Sequence, residues 1–141
     1  ENVRHAVFDF GAHRVGHGYA MTRDAPGLAE IVREGAHFEV CPTSSLETGA
    51  WSFSEAAPPW PQHPLAAMLA AGAKVSINSD DPTVFDTSLT AELLLCLREM
   101  KLTREQVVQL TLSAVDAAFG DDEELTRIRR RIEHFATNGR A

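Results

Sequence analysis

The sequence is short of the features that mark several protein classes. It has 2 cysteines, Cys41 and Cys96, in 141 residues. That is too few for a disulfide framework, so a reducing compartment, with the cytoplasm as the location, is the expectation. No run of 18 apolar residues occurs, so no helical membrane span is expected. No signal-peptide pattern precedes the first periodic segment. Basic residues are outnumbered by acidic ones, 13 to 20, for a formal charge of −7. The positive field that phosphate-backbone binding needs is missing. The expected partners therefore include neither nucleic acid nor a membrane. No glycine-rich phosphate fingerprint follows any apolar run, which counts against a nucleotide-binding doubly wound domain. Internal repeats and low-complexity tracts are absent too. The chain starts at Glu1 without a methionine, and the expectation is a fragment.

What is present is ordinary for a globular chain. Hydrophobic residues make up 44%, enough for one domain, or part of one, with a real core. Residues 3–10 place Val3, Val7 and Phe10 on one helical face, with Gly11 as C-cap. Arg14-Val-Gly-His-Gly18 reads as a very short strand. Asp24 caps a helix with Pro26 in its first turn and Leu28, Ile31 and Val32 as its stripe. Gly35 ends that helix. His37–Pro42 is a second strand, followed by an expected long loop over 43–61. Pro64 opens a helix that carries Leu65, Met68 and Leu69, and Gly72 stops it. A third strand covers 74–79. Asp86, Thr87 or Ser88 caps the next helix, to about Met100. Thr103 and Gln106 form a capping box for another helix, striped by Val107, Leu110, Leu112, Val115 and Phe119. Asp121 opens the last, where Glu123/Arg127 and Arg129/Glu133 have the spacing of surface ion pairs. Strands alternating with helices imply a parallel sheet.

Each strand ends in residues that suit chemistry better than a core. They are His17, then Cys41-Pro42 with Ser44, then Asp80-Asp81. Functional side chains at the C-terminal ends of parallel strands fit a (β/α)8 barrel or a doubly wound sheet. In Lys74–Pro82, Val75 and Ile77 share one face, while Ser76, Asn78 and Asp80 share the other. Pro82 stops the strand and lets the two carboxylates leave strict alternation. Side by side they repel unless a cation or proton donor lies between them, though an Asx turn would also place an aspartate here. His17 is either structural or a site residue, and its glycine neighbours and strand-end position favour the site. Cys41 reads as a small buried hydrophobe. Ser44 bonds either a strand-end carboxylate or its own loop. Trp51 and Trp60 line a pocket or pin the loop. His63 reads as a helix-start residue, and His5, His13, His37 and His134 show no paired-ligand spacing. One histidine and two aspartates are fewer ligands than a catalytic zinc needs, and a hard cation on the aspartates would want more oxygens.

Three stretches, taken together, resemble the C-terminal part of the adenosine deaminase family. They are Arg14-Val-Gly-His-Gly-Tyr19, Phe38-Glu-Val-Cys-Pro42 with Thr48-Gly-Ala-Trp51, and Ser76-Ile-Asn-Ser-Asp-Asp-Pro82 with Phe85. The resemblance implies that residues 1–141 are part of a zinc-dependent (β/α)8 hydrolase domain, about its last three strand–helix units plus C-terminal helices. It implies that Asp80 is both a zinc ligand and a catalytic residue that orients the attacking water. It makes His17 the second catalytic residue, positioning that water, and Asp81 the group that binds the purine ring. Ser44 would support Asp80. The cofactor implied is Zn²⁺ and the substrate a purine nucleoside, adenosine or deoxyadenosine, converted to the inosine product. Deamination of adenine or another aminopurine, and a truncated non-catalytic homologue, are the alternatives. The family's His-x-His, its third histidine ligand and its proton-shuttling glutamate do not occur in this chain. It is therefore expected to need a missing N-terminal barrel segment and to be inactive alone.

Overall fold

The computed structural model describes residues 2–51 and 59–139. Three parallel strands, β1 (Arg14–Gly16), β2 (His37–Val40) and β3 (Lys74–Ile77), lie in the order β1-β2-β3. The register places Val15, Phe38 and Val75 side by side across the sheet. Residues paired this way share a face, so these three form one apolar row. Val40 and Ile77 extend it.

That row is covered by the crossover helices. α2 (Ala25–Glu34) buries Leu28 and Ile31, and α4 (Pro64–Ala70) buries Leu65 and Met68. Cys96 and Met100, and Leu110 of a later helix, complete the cluster. The expected caps form. Asp24 accepts from the Gly27 N–H, and Gly35 takes a left-handed φ of 84° at the C-cap. Ser88, one of the three candidates, caps α5 (Leu89–Arg98). Thr103 and Gln106 make the reciprocal capping box of α6 (Arg104–Ala117), and Asp121 caps α7 (Asp122–Asn138).

The structure differs from the sequence reading at several points. Pro42 does stop β2, but it also starts a helix, α3 (Pro42–Glu47), inside the expected loop. Proline at the first helical position loses no bond and its φ is already helical. Residues 52–58 of that loop lie outside the described residues, and a 3₁₀ turn, Trp60–Gln62, follows. The first helix, α1 (Asn2–Arg4), runs into a π turn at His5–Asp9. Bonding five residues back shifts the face, so Val7 is buried while Phe10 is 83% exposed. Phe119 also leaves its expected stripe and is 74% exposed. α6 ends at Ala117 and Ala118 is extended, so Phe119 instead lies under the Arg14 guanidinium at 4.0 Å. β3 ends two residues earlier than expected, at Ile77. On α7, Arg127 pairs with Glu124 rather than Glu123, whereas the Arg129–Glu133 pair forms. Among the described residues, no helix is long and apolar enough to cross a membrane.

Candidate functional site

The site lies beyond the C-terminal ends of the strands. The sheet ladder continues one residue past the regular strands, with the His17 N–H donating to the Glu39 carbonyl at 2.8 Å and the Asn78 N–H to the Val40 carbonyl at 2.9 Å. By strict alternation His17 would follow Val15 onto the apolar face. It does not, because its φ is 59°; Asp80 has the same left-handed conformation, at φ 58°. That conformation costs an ordinary residue about 1–3 kcal/mol. The two residues that adopt it beside the strand ends are the two whose side chains meet. His17 Nε2 stands 3.5 Å from Asp80 Oδ2.

Gly18, at φ 72°, continues the turn, and a Cβ there would lie 2.7 Å from the Phe38 ring. Of the two glycines that flank His17, Gly18 is thus set by the core beneath it, whereas a Cβ at Gly16 would meet nothing within 4 Å. From the second unit, the Ser44 hydroxyl donates to Asp80 Oδ2 at 2.6 Å. Of the two readings for Ser44, this is the strand-end carboxylate. Cys41 is buried, but its sulfur lies within the same small volume: ligand atoms of His17, Cys41 and Asp80 are all within 4.8 Å of one another. Burial, with help from the charges of Asp80, Glu92 and Glu39, pushes the thiol up to about 12. That direction favours the neutral thiol, a small buried group, at this position.

Asp81 does not join this cluster. Its Oδ1 accepts from the Val84 N–H at 3.2 Å, so the turn reading also holds for this residue. Phe85 N–H to the Asp81 carbonyl and Thr87 N–H to the Pro82 carbonyl close the rest of the turn. The side chain remains exposed at the strand-end surface.

Behind the site lies a layer that the sequence announced in part, with His63 as the expected helix-start residue of α4. The Tyr19 hydroxyl accepts from the Cys41 N–H at 2.9 Å and donates to the Cys41 carbonyl at 3.3 Å, tying down the end of β2. Burial pushes this phenol up to about 12. His63 caps α4 by accepting from the Leu65 N–H at Nδ1, which leaves Nε2–H for the Ser45 hydroxyl at 3.0 Å. Ser45 in turn donates to the Pro42 carbonyl. Both tryptophans pack on this histidine, Trp51 at 4.8 Å and Trp60 at 6.3 Å between ring centroids. Burial pulls His63 down to about 4. His37, at the opposite end of the sheet, is also buried and faces two hydroxyls, Ser76 at 2.8 Å and Ser113 at 3.4 Å. Burial lowers its pKa as well.

His17 is different. Its side chain is 40% exposed, yet its Nδ1 is buried with no hydrogen-bond partner among the described residues. An imidazole nitrogen and a carboxylate oxygen converging on one volume are donor types that zinc takes. The set fits part of a zinc site. Three protein ligands are needed, and no group of that kind beyond His17, Cys41 and Asp80 occurs among the described residues.

Comparison with known proteins gives this arrangement its setting. The family profile for adenosine deaminase matches residues 1–135. The chain is 33% identical to mouse adenosine deaminase over 94% of its length, and equally 33% identical to an aminodeoxyfutalosine deaminase from Streptomyces avermitilis over 96%. It spans 36% of each of those relatives. Among solved structures, an amidohydrolase from Burkholderia ambifaria with bound Zn superposes at TM-score 0.82 and 27% identity, covering 96% of this chain and 36% of that one. An N6-methyl-AMP deaminase from Arabidopsis thaliana superposes at TM-score 0.74 and 28% identity, covering 94% and 37%. The three β/α units are thus a portion of a (β/α)8 barrel, with His17, Ser44 and Asp80 at its C-terminal mouth. With the profile match over nearly its whole length, the chain belongs to the adenosine deaminase family.

Proposed function

We propose that the protein carrying this chain is a zinc-dependent hydrolase that deaminates adenosine or deoxyadenosine to inosine or deoxyinosine in the cytoplasm. Residues 1–141 are the C-terminal part of its barrel domain. The observation that carries the reading is the approach of His17 Nε2 to Asp80 Oδ2, 3.5 Å apart, with both residues in a left-handed backbone conformation that few non-glycine residues adopt.

In this reading Asp80 is the ligand that the chain supplies to zinc. When bound, the metal brings the pKa of water to about 7 and so supplies a nucleophile near neutrality. The Ser44 hydroxyl restrains Oδ2 of Asp80. The His17 imidazole holds the attacking water against the purine and takes up or returns a proton at Nε2 as charge develops. The water oxygen bonds to C6 while one of its protons passes to the adjacent ring nitrogen; the bond from C6 to its amino nitrogen then breaks as a C6 carbonyl forms, and ammonia leaves with the other proton. Asp81, with one carboxylate oxygen engaged by Val84 N–H, binds a ring nitrogen of the base through a proton held between that nitrogen and its other oxygen. The buried tyrosine, histidine and tryptophan layer keeps the inner wall rigid.

The test is made on the full-length protein. Adenosine, deoxyadenosine, adenine, AMP and aminodeoxyfutalosine are offered with zinc present and after chelation. Zinc-dependent ammonia release, fastest from the nucleosides, is expected. Preference for adenine or for another aminopurine transfers the reading to that branch, which the equal identity to an aminodeoxyfutalosine deaminase keeps in play. No deamination of any of them by a zinc-loaded protein sinks it in favour of a non-catalytic homologue. Purified residues 1–141 are expected to be inactive and to bind zinc weakly.

A further inference from the structure

Glu92 is 1% exposed, and no step above uses it. A carboxylate withdrawn from water this far must be compensated by donors. Among the described residues Glu92 finds two, and they come from different parts of the chain. Its Oε2 accepts from the Thr43 N–H at 3.1 Å, one of the backbone donors that a helix start leaves unpaired. Its Oε1 accepts from the Thr87 hydroxyl at 2.6 Å.

Those two donors flank the site. Thr43 precedes Ser44, whose hydroxyl grips Asp80 Oδ2. Thr87 ends the turn that Asp80 begins, and its own N–H is bonded back to the Pro82 carbonyl at 3.1 Å. A closed circuit results: Glu92 to Thr43, Ser44 to Asp80, the turn to Thr87, and back to Glu92. One buried side chain thereby holds both ends of the Ser44–Asp80 contact.

We propose that Glu92 is a positioning residue that sets the orientation of the Asp80 carboxylate by clamping the start of α3 to the end of the Asp80–Thr87 turn. It touches neither substrate nor metal. The inference rests on the reading of Asp80 as a metal ligand. It predicts that Glu92 acts through hydrogen bonds rather than through its charge, because both of its partners are neutral donors.

The experiment uses the full-length protein and two readouts, zinc affinity by chelator competition and steady-state kinetics. Glu92→Ala is expected to lower zinc affinity and kcat by about 10- to 100-fold, the range for partners of metal ligands, with KM little changed. Glu92→Gln restores most of the loss, because its amide oxygen accepts from Thr43 and its amide nitrogen donates to the Thr87 oxygen. Thr87→Val gives a smaller loss in the same direction. In a Ser44→Ala background neither Glu92→Ala nor Thr87→Val costs anything further. If Glu92→Ala does not fold, the Thr87→Val and Ser44→Ala pair carries the same comparison. Wild-type zinc affinity in these variants, full additivity with Ser44→Ala, or Glu92→Gln as damaged as Glu92→Ala each overturns the proposal. A wild-type protein that binds zinc but deaminates no purine sinks the function proposed above and leaves Glu92 to be judged on metal affinity. A wild-type protein that binds no zinc overturns both.

Discussion

His17 and His63 pack against the same ring, that of Tyr19, at 5.6 and 5.3 Å between centroids. They share a neighbour and differ in how their nitrogens are used. His63 is 1% exposed and has both nitrogens engaged, one by a helix N–H and one by a serine. Nothing is left over for chemistry, and burial without a carboxylate keeps the ring neutral. His17 faces a carboxylate across 3.5 Å, sits in a strained backbone conformation, and has a buried nitrogen with no partner among the described residues. A histidine with complete hydrogen bonding is part of the scaffold. One that the fold holds in strain and leaves incompletely bonded is held for something else.

The contrast can be broken from the reactive side first. In the full-length protein, Asp80→Ala is expected to abolish stoichiometric zinc binding and deaminase activity together, by metal analysis and ammonia-release assay. His17→Ala is expected to lower kcat by about 10²- to 10⁴-fold, the range for a positioned acid–base group. Zinc content and Tm should stay close to wild type. If turnover survives, the role given to His17 is wrong.

From the scaffold side, His63→Ala is expected to destabilise by about 3 kcal/mol through a lost cap and a cavity beneath two tryptophans. Denaturant melts would read this, with kcat falling far less than in His17→Ala. The same histidine predicts a pH dependence. Its folded pKa of about 4 lies below the ordinary value of 6.5. Between those values the unfolded chain binds the extra proton, so stability rises with pH. His63 therefore contributes its stabilisation above about pH 6.5 and loses it as pH falls toward 4, about 3 kcal/mol across the window. His63→Asn keeps an acceptor for the Leu65 N–H and removes the titration, so its Tm should fall less steeply than wild type over that range. The smallest effect belongs to α7. Arg127→Gln removes the exposed pair with Glu124 and should leave Tm unchanged within error.

The sequence told these regions apart unevenly. Strand ends carrying His17 and Asp80 were visible because glycines flank one and a proline follows the other, and local chemistry reports local turns. The caps at Asp24, Thr103 and Asp121 were legible for the same reason. Phe10 and Phe119 were misplaced because a stripe assumes an unbroken helix, whereas a π turn and an extended Ala118 end the periodicity. α3 was missed because Pro42 serves as a strand stop and a helix start at once. The bonding roles of Tyr19, His37 and Glu92 gave no sequence signal. Their partners are 22, 39 and 49 residues away, and nothing in the spacing announces such pairs. Cys41 read correctly as a buried small residue, but its place beside His17 and Asp80 depends on the strand register.

The contact between Ser44 and Asp80 bridges 36 residues, and His17 belongs to a third unit again. A site assembled from three successive units has no local precursor. Closing each loop costs entropy before any of its contacts form. The strained backbones at His17 and Asp80 add cost that only the completed sheet offsets. The constellation should therefore be among the last features to form during folding and the first to dissolve when any one crossover loosens. Activity in the full-length enzyme should then vanish at lower denaturant concentration than the helical signal does. The His17–Asp80 pair would report the integrity of the barrel wall more sensitively than any measure of bulk structure.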